Sequence, residues 1–263
     1  MKKLSTAFAA CMLAGFVSAQ VESQNIVGYN TVTLSQGYNL VAVNFGTVGG
    51  GLGLTLQTLF PTTTNGVLLA GFTGGSAATG DNIAFYDPIA GYTVYYLYKG
   101  AKTSDTKNYK WVTAAGVVAD DTPVASGTAF WFKKVAAGNL DATVAGEAAN
   151  DVSTTMLVKP GYNTFTSVYP IEWNPNDFGA TYWTTNGAVA GSAATGDNIA
   201  FYDPTLGYTA YYLYKGAKTS DTKNYKWVSA TGVVVADKIM VPGKGAWYKH
   251  AGAGFAFSQT KPY

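Results

Sequence analysis

The side chains that could do chemistry are few, and their number alone excludes most familiar reactions. His250 is the only histidine and Cys11 the only cysteine in 263 residues. A Ser-His-Asp or Cys-His relay thus has one candidate base, which stands where an earlier, related segment carries Lys134. That placement reads as a surface histidine at a strand end. One histidine and one cysteine also fall short of the usual zinc ligand sets. Gly100-Ala101-Lys102-Thr103 lacks the preceding glycine and the strand-to-helix setting of a phosphate-cradling loop, and the GGGLG run at 49–53 lacks dinucleotide-turn spacing. No cofactor is expected.

Carboxylates are the remaining catalytic candidates: Asp81, Asp87, Asp105, Asp120 and Asp121, answered later by Asp197, Asp203, Asp221 and Asp237. A glycosidase needs two of them facing one another across a sugar. Most stand beside Gly, Pro or Asn, where turn-forming hydrogen bonds account for them. The EWNPND run at 172–177 lacks the regular calcium-loop pattern and reads as a turn. The expectation is a protein that is not an enzyme and has no metal site.

The lysines are arranged less evenly. KGAKTSDTKNYK at 99–110 holds four lysines and one aspartate, and 215–226 repeats it. Lys99, Lys102, Lys107, Lys110, Lys215, Lys218, Lys223 and Lys226 therefore form a candidate contact surface. All 17 basic residues are lysine; without Lys2 and Lys3, 15 lysines balance 15 acidic residues. The two loops total +6 and the rest of that stretch −6, so the chain is neutral but uneven. Neutrality argues against nucleic acid as a partner. Basic prongs could dock another copy or an anionic surface polysaccharide, and lysines at hairpin tips also simply block edge pairing.

These loops close two near-identical stretches, Gly75–Val112 and Gly191–Val228, which match at 35 of 38 positions at a shift of 116. Gly37-Tyr38-Asn39 answers Gly161-Tyr162-Asn163 at 124, and Gly127–Lys133 answers Gly243–Lys249 at 116. Core packing demands a pattern and a volume rather than identity, so the match reports duplication of a whole fold. The boundaries expected are 20–146 for the first unit and 147–263 for the second, joined by the polar AGEAAND at 145–151.

Within the first unit, Thr31–Leu34 and Tyr38–Phe45 read as strands around a Ser-Gln-Gly turn. Ile83–Tyr86 and Tyr92–Tyr98 flank a turn at Asp87–Gly91, with Pro88 setting one φ and Gly91 accepting an unusual one. Both faces of the Tyr92–Lys99 arm are largely apolar, which predicts a strand between two packed layers. Tyr109 is expected to share a strand face with Trp111, and Phe130 with Phe132. Leu140–Val144 reads as a last strand, and 52–60 as one short helix or a loop. The fold class is all-β: two tandem repeats of a small β-sandwich or β-barrel. Tyr95, Tyr96, Tyr98, Tyr109, Trp111, Trp131 and their counterparts are expected in the core, whereas an exposed coplanar subset would favour sugar stacking.

Lys2 and Lys3, the apolar run to Val17 and the small-residue site ending at Ala19 read as a signal peptide over 1–19. The product would be secreted, extracellular or at the cell surface, free of cysteine, and without a transmembrane segment in the mature chain.

IVGYNTVTL at 26–34, GYNLV at 37–41, GDNI at 80–83 and PGKGAWY at 242–248 resemble segments of a group of uncharacterised secreted bacterial tandem β-domain proteins. The resemblance spans most of both repeats, except that Ala125-Ser126-Gly127 stands where the second unit has Val241-Pro242-Gly243. It implies architecture and transfers no site residue. The function expected is that of a non-enzymatic extracellular structural or adhesive protein, self-assembling into a filament or surface layer through strand edges and the basic hairpins. Val21–Leu34 or Phe255–Tyr263 could add to a neighbour's sheet. The alternative is a tandem carbohydrate-binding module.

Overall fold

A computed structural model describes residues 26–49, 54–61, 68, 70 and 79–263. The expected signal peptide, Cys11 and most of the glycine run at 49–53 lie outside the described residues. The first strand, β1 (Val27–Leu34), begins at Val27 rather than at the expected Thr31, and its alternation is regular: Val27, Tyr29, Thr31 and Thr33 are exposed while Leu34 is buried. At the turn into β2 (Gly37–Val43), Gly37 has φ 98°, a region only glycine enters cheaply. Asn39 clamps this turn, its carboxamide accepting from the Ser35 N–H at 2.9 Å and donating to the Ser35 carbonyl at 2.8 Å. Asn163 does the same with Lys159 at 2.9 and 2.7 Å. The turn thus accounts for the Gly and Asn of Gly-Tyr-Asn and leaves the tyrosine unexplained.

Beyond β2 the chain crosses to a second sheet as β3 (Phe45–Gly46), then forms β4 (Leu54–Thr55) and α1 (Leu56–Leu59). This single turn of helix is opened by a box in which the Thr55 and Thr58 side chains each bond the other's backbone N–H. The strands that follow are β5 (Asn82–Asp87), β6 (Gly91–Leu97), β7 (Trp111–Thr113), β8 (Pro123–Val124), β9 (Thr128–Lys134) and β10 (Leu140–Ala148). The first half assembles as a five-stranded sheet ordered β2-β9-β5-β6-β7, a three-stranded sheet ordered β1-β10-β3 and the short pair β4-β8. Leu34 and Val144 from the small sheet meet Val41, Ile83, Phe130 and Phe132 from the large one in a single core.

The second half supplies β11 (Ser153–Val158), β12 (Gly161–Phe165), α2 (Tyr182–Thr185), β13 (Asn198–Asp203), β14 (Gly207–Leu213), β15 (Trp227–Ser229), β16 (Ala246–His250) and β17 (Phe255–Thr260). Its large sheet, β12-β16-β13-β14-β15, keeps the order of the first, and β11-β17 takes the place of β1-β10. A separate core gathers Phe165, Trp173, Trp183, Trp227, Tyr248 and Phe257. The fold is all-β, as the sequence implies. The expected join needs correction: Ala145–Ala148 belongs to β10, where Glu147 pairs with both Val27 and Gly46, so strand runs past the expected boundary at 146. Phe255–Thr260 is likewise committed within the chain, paired along β11.

Two further expectations are overturned. His250 lies not at the surface but 3% exposed. Its Nδ1 is 2.9 Å from Asp197 Oδ2, which also accepts from the Tyr248 hydroxyl at 2.7 Å, while Asp197 Oδ1 accepts from the Ala251 N–H at 2.8 Å. A fully buried carboxylate must collect donors, and this position supplies one. Its counterpart Lys134 is buried as well and caps the carbonyls of Ala136 and Ala137 at 2.7 and 3.3 Å. Tyr109 does not share a strand with Trp111. It precedes β7 with φ 61° and is half-exposed, and Tyr225 precedes β15 with φ 63°.

The identical tryptophans that open β7 and β15 are held differently. The Trp111 N–H donates to Asp120 Oδ1 at 2.8 Å, whereas the Trp227 N–H donates to Asn176 Oδ1 at 2.8 Å from the short 3-10 turn Pro175–Phe178. The EWNPND run is therefore a structural turn, its Asn174 and Asn176 reaching the Val235 carbonyl.

The Val189 N–H also donates to Asp197 Oδ2 at 3.1 Å, so Asp197→Asn takes a carboxylate oxygen from four donors and is expected to cost about 3 kcal/mol, read as a lower urea midpoint. Burial first, and then the adjacent Asp197 charge, push the Tyr248 hydroxyl well above its ordinary range. The folded value exceeds the unfolded one, so this contribution is complete below pH ~10 and is lost as pH rises above it. Thermal melts across that range should fall more steeply for the wild type than for Tyr248→Phe.

Candidate functional site: paired aromatic clefts

The apolar outer face of β6 faces the second half of the molecule. Tyr92, Val94 and Tyr96 point outward, while Tyr95 and Leu97 pack toward the core. Beside them stand Ala84 of β5, Trp131 of β9 and Tyr38 of β2, the tyrosine that the turn left unexplained. Tyr202, Tyr208 and Trp247 close the other side, giving an open cleft of about 540 Å³ with Asn82 and Lys133 among its lining. An adjoining cleft of about 460 Å³ is lined by Tyr162, Ala200, Tyr208 and Trp247 together with Tyr86 and Tyr92. Asn198 and Lys249 lie beside Tyr162 and Trp247 where that wall continues.

The two clefts are the same construction seen twice. Trp131 meets Tyr202 edge-on at 5.1 Å, and Trp247 meets Tyr86 edge-on at 5.0 Å. Tyr38 lies 6.0 Å from Trp131, and Tyr162 lies 6.1 Å from Trp247. Tyr86 and Tyr92 are 5.0 Å apart, Tyr202 and Tyr208 5.1 Å. The two tryptophans touch at 6.3 Å on what is therefore a pseudo-two-fold axis. Exposure follows the same rule: Tyr38 and Tyr162 are 49% and 53% exposed, Tyr92 and Tyr208 54% and 56%. Burial beside Tyr86 raises the Tyr92 hydroxyl above its ordinary range.

Backbone contacts fix this apposition. The Ala42 N–H donates to the Gly243 carbonyl at 2.9 Å and the Gly245 N–H to the Leu40 carbonyl at 3.1 Å, so the PGKGAWY segment runs along β2. A Cβ on Gly245 would lie 2.9 Å from Ala129 Cβ and 3.0 Å from Leu40 Cγ, which accounts for the glycine. Asn44, fully buried, accepts from the Gly243 N–H at 2.6 Å and donates to the Ser167 carbonyl. Trp247 in the same segment then reaches the cleft.

Symmetry fails at Lys159. Lys159 Nζ sits 2.8 Å from Asp87 Oδ2 and ties the second half to the β5–β6 turn. Its counterpart is Ser35, too short to reach Asp203, and a crevice of about 390 Å³ stays open there, lined in part by Ser35, Asp203, Tyr211 and Lys244. Asp203 lies below the usual carboxylate range, held there chiefly by the N–H groups of Leu206 and Thr205.

None of the eight lysines singled out from the sequence lines these clefts. Five of them turn back on their own loops: Lys99 lies over Tyr109 at 5.9 Å, Lys107 over Tyr98 at 5.0 Å, Lys215 over Tyr225 at 5.7 Å and Lys223 over Tyr214 at 5.1 Å, while Lys110 pairs with Asp120 at 3.0 Å. Lys102 and Lys218 are exposed, and each lends its carbonyl to an asparagine, Asn108 or Asn224, at 2.8 Å. Lys226 is partly exposed, its carbonyl accepting from the Tyr214 N–H at 2.9 Å. Asp105 organises the first loop, accepting from the Lys107 N–H at 3.0 Å and the Tyr98 hydroxyl at 2.9 Å. These bonds hold its carboxyl below the ordinary range. Lys133 and Lys249, which do line the cleft walls, were not singled out. Their signal was the alternation that set each two residues after a tryptophan.

Among the described residues no three His, Cys, Asp or Glu side chains gather as for a metal ion, and no helix is long and apolar enough to cross a membrane. Fold and site together define an all-β chain with duplicated, aromatic-lined open clefts. Comparison with protein-family models, curated proteins and solved structures finds no match to this chain.

The Lys159 hydrogen bond, the largest of its causes, lowers the Asp87 carboxyl to about 2. A depressed folded value gives stability that is complete above pH ~4 and lost as pH falls toward the folded value. Acid titration of the melting temperature should show this loss in the wild type and a flatter curve in Lys159→Ser.

Proposed function

We propose that the protein is a non-enzymatic binding module that takes sugar rings in its two aromatic clefts and acts outside the cell. The observation that carries this reading is the repetition of four half-exposed tyrosines, two on each side of the Trp131–Trp247 contact, in positions where the core does not need them. An aromatic face offers a sugar the apolar surface of its C–H groups, and a few polar groups at the rim fix its orientation. Asn82 with Lys133, and Asn198 with Lys249, supply those groups. The open shape of both clefts suits an extended chain more than an enclosed small molecule. Two like sites on one body raise the effective concentration of a repeating polymer at the second site.

The cleft linings contain lysine and no Asp or Glu. This favours carboxylated or sulfated sugars over neutral ones. The aspartates support binding rather than turnover: Asp87, Asp105, Asp203 and Asp221 bond the N–H groups of their own turns, and Asp197 faces inward. The charged and then apolar first nineteen residues support an extracellular site of action.

Calorimetric titration with a uronic-acid oligosaccharide is expected to give about two sites per chain. Tyr38→Ala with Tyr162→Ala should weaken binding roughly tenfold, since an aromatic contact is worth about 0.5–1.5 kcal/mol. Lys133→Met with Lys249→Met should remove the preference over a neutral glucan and the salt dependence. Absence of binding to both acidic and neutral oligosaccharides would sink the proposal.

A further inference from the structure

Several sheet edges are covered by the chain itself. Val118 bridges to Val112 along β7, and Val234 to Val228 along β15. Residues 243–245 pair along β2. On β17, the Tyr182 hydroxyl bonds both the N–H and the carbonyl of Ser258. The outer edges of β1 and β11 have no such cover among the described residues: β1 pairs only with β10, and β11 only with β17.

The register shows which groups this leaves open. The Ala148 N–H donates to the Ile26 carbonyl, which sets the hydrogen-bonding phase of β1 on Ile26, Gly28, Asn30, Val32 and Leu34. The backbone groups of Val27, Tyr29, Thr31 and Thr33 therefore point away from β10. The Lys261 N–H donates to the Val152 carbonyl, and by the same alternation Ser153, Thr155 and Leu157 point away from β17. Their side chains are the exposed ones too, with Tyr29 75% and Leu157 73% exposed.

Protected edges carry lysine, proline, a bulge or an inward charge, and VGYNTVTL and STTMLV contain none of these. We infer that β1 and β11 are pairing edges through which copies of this chain add to one another as continued antiparallel sheet. Three observations name a second copy as the occupant. The exposed row is uncharged, and the chain from residue 20 onward is neutral, so like surfaces meet without repulsion. The row is also self-complementary: Thr31 already bonds Thr143 at 3.1 Å across the sheet, and Thr155 bonds Ser258 at 3.0 Å. An added strand extends these hydroxyl ladders. Finally, each molecule carries two such edges, one per half, so addition does not stop at a pair. The basic loops take no part in this pairing, which stands independently of sugar binding.

Sedimentation velocity of the purified protein over a range of concentrations tests the inference, with negative-stain imaging of the largest species. The wild type should form an open series of oligomers. Thr31→Pro removes an outward N–H and leaves the backbone hydrogen bonds to β10 in place, losing only the hydroxyl contact to Thr143, and it should hold the protein at dimers or smaller; Thr155→Pro should do the same on β11. The double variant should be monomeric. Thr31→Lys with Thr155→Lys, which keeps both N–H groups and sets like charges against each other, should also arrest growth while the circular dichroism stays native. A single concentration-independent wild-type mass, or a folded double variant that grows as the wild type does, overturns it.

Discussion

Each large sheet is apolar on both faces, and water can be kept from both only if each face finds a cover. The inner faces are covered by the small sheets β1-β10-β3 and β11-β17. The outer faces have only one another. Sheets of such composition tolerate exposure poorly, because large contiguous apolar patches drive association. The contact of Trp131 with Trp247 is where the two outer faces meet, and the clefts are what two twisted sheets leave open on either side of that meeting. The site is thus a by-product of the same burial that joins the halves.

Much of this was legible in the chain. The two-sided alternation of Tyr92–Lys99 announced a strand with a layer on each side; the structure packs the Tyr95 and Leu97 face on the core but leaves the Tyr92, Val94 and Tyr96 face lining an open cleft. The turn at Asp87–Gly91 was written in its residue types, and Asp87 Oδ1 accepts from the Ile89 and Ala90 N–H groups. The clefts were not legible, because each joins residues such as Tyr38 and Tyr202 that no local period relates. Trp131 was expected in the core and is indeed buried, but against Tyr202 from the other half. The fate of His250 was hidden for a similar reason: polarity placed it outside, and a buried carboxylate from a distant strand drew it in. A positive φ at Tyr109 and Tyr225 has no sequence signal at all, since glycine is the residue that normally marks it.

The lysine loops show geometry that a charge count does not contain. Their concentration of charge suggested prongs for a partner, yet ring faces and Asp120 occupy five of the eight ammonium groups. Exposed pairs of this kind contribute little to stability singly. They give the loops a fixed shape, repeated in both halves by Asp105 and Asp221.

The different capture of Trp111 and Trp227 bears on how a duplicated chain finds its fold. Two hairpins of nearly the same sequence offer the same edges, and an incomplete chain could dock either into either sheet, a characteristic trap of repeat proteins. Asp120 lies just downstream of its tryptophan, while Asn176 arrives from upstream on the 3-10 turn Pro175–Phe178. Each hairpin is thereby labelled by its own neighbour along the chain. Residues outside the near-identical stretches thus set apart two parts that are otherwise interchangeable in sequence.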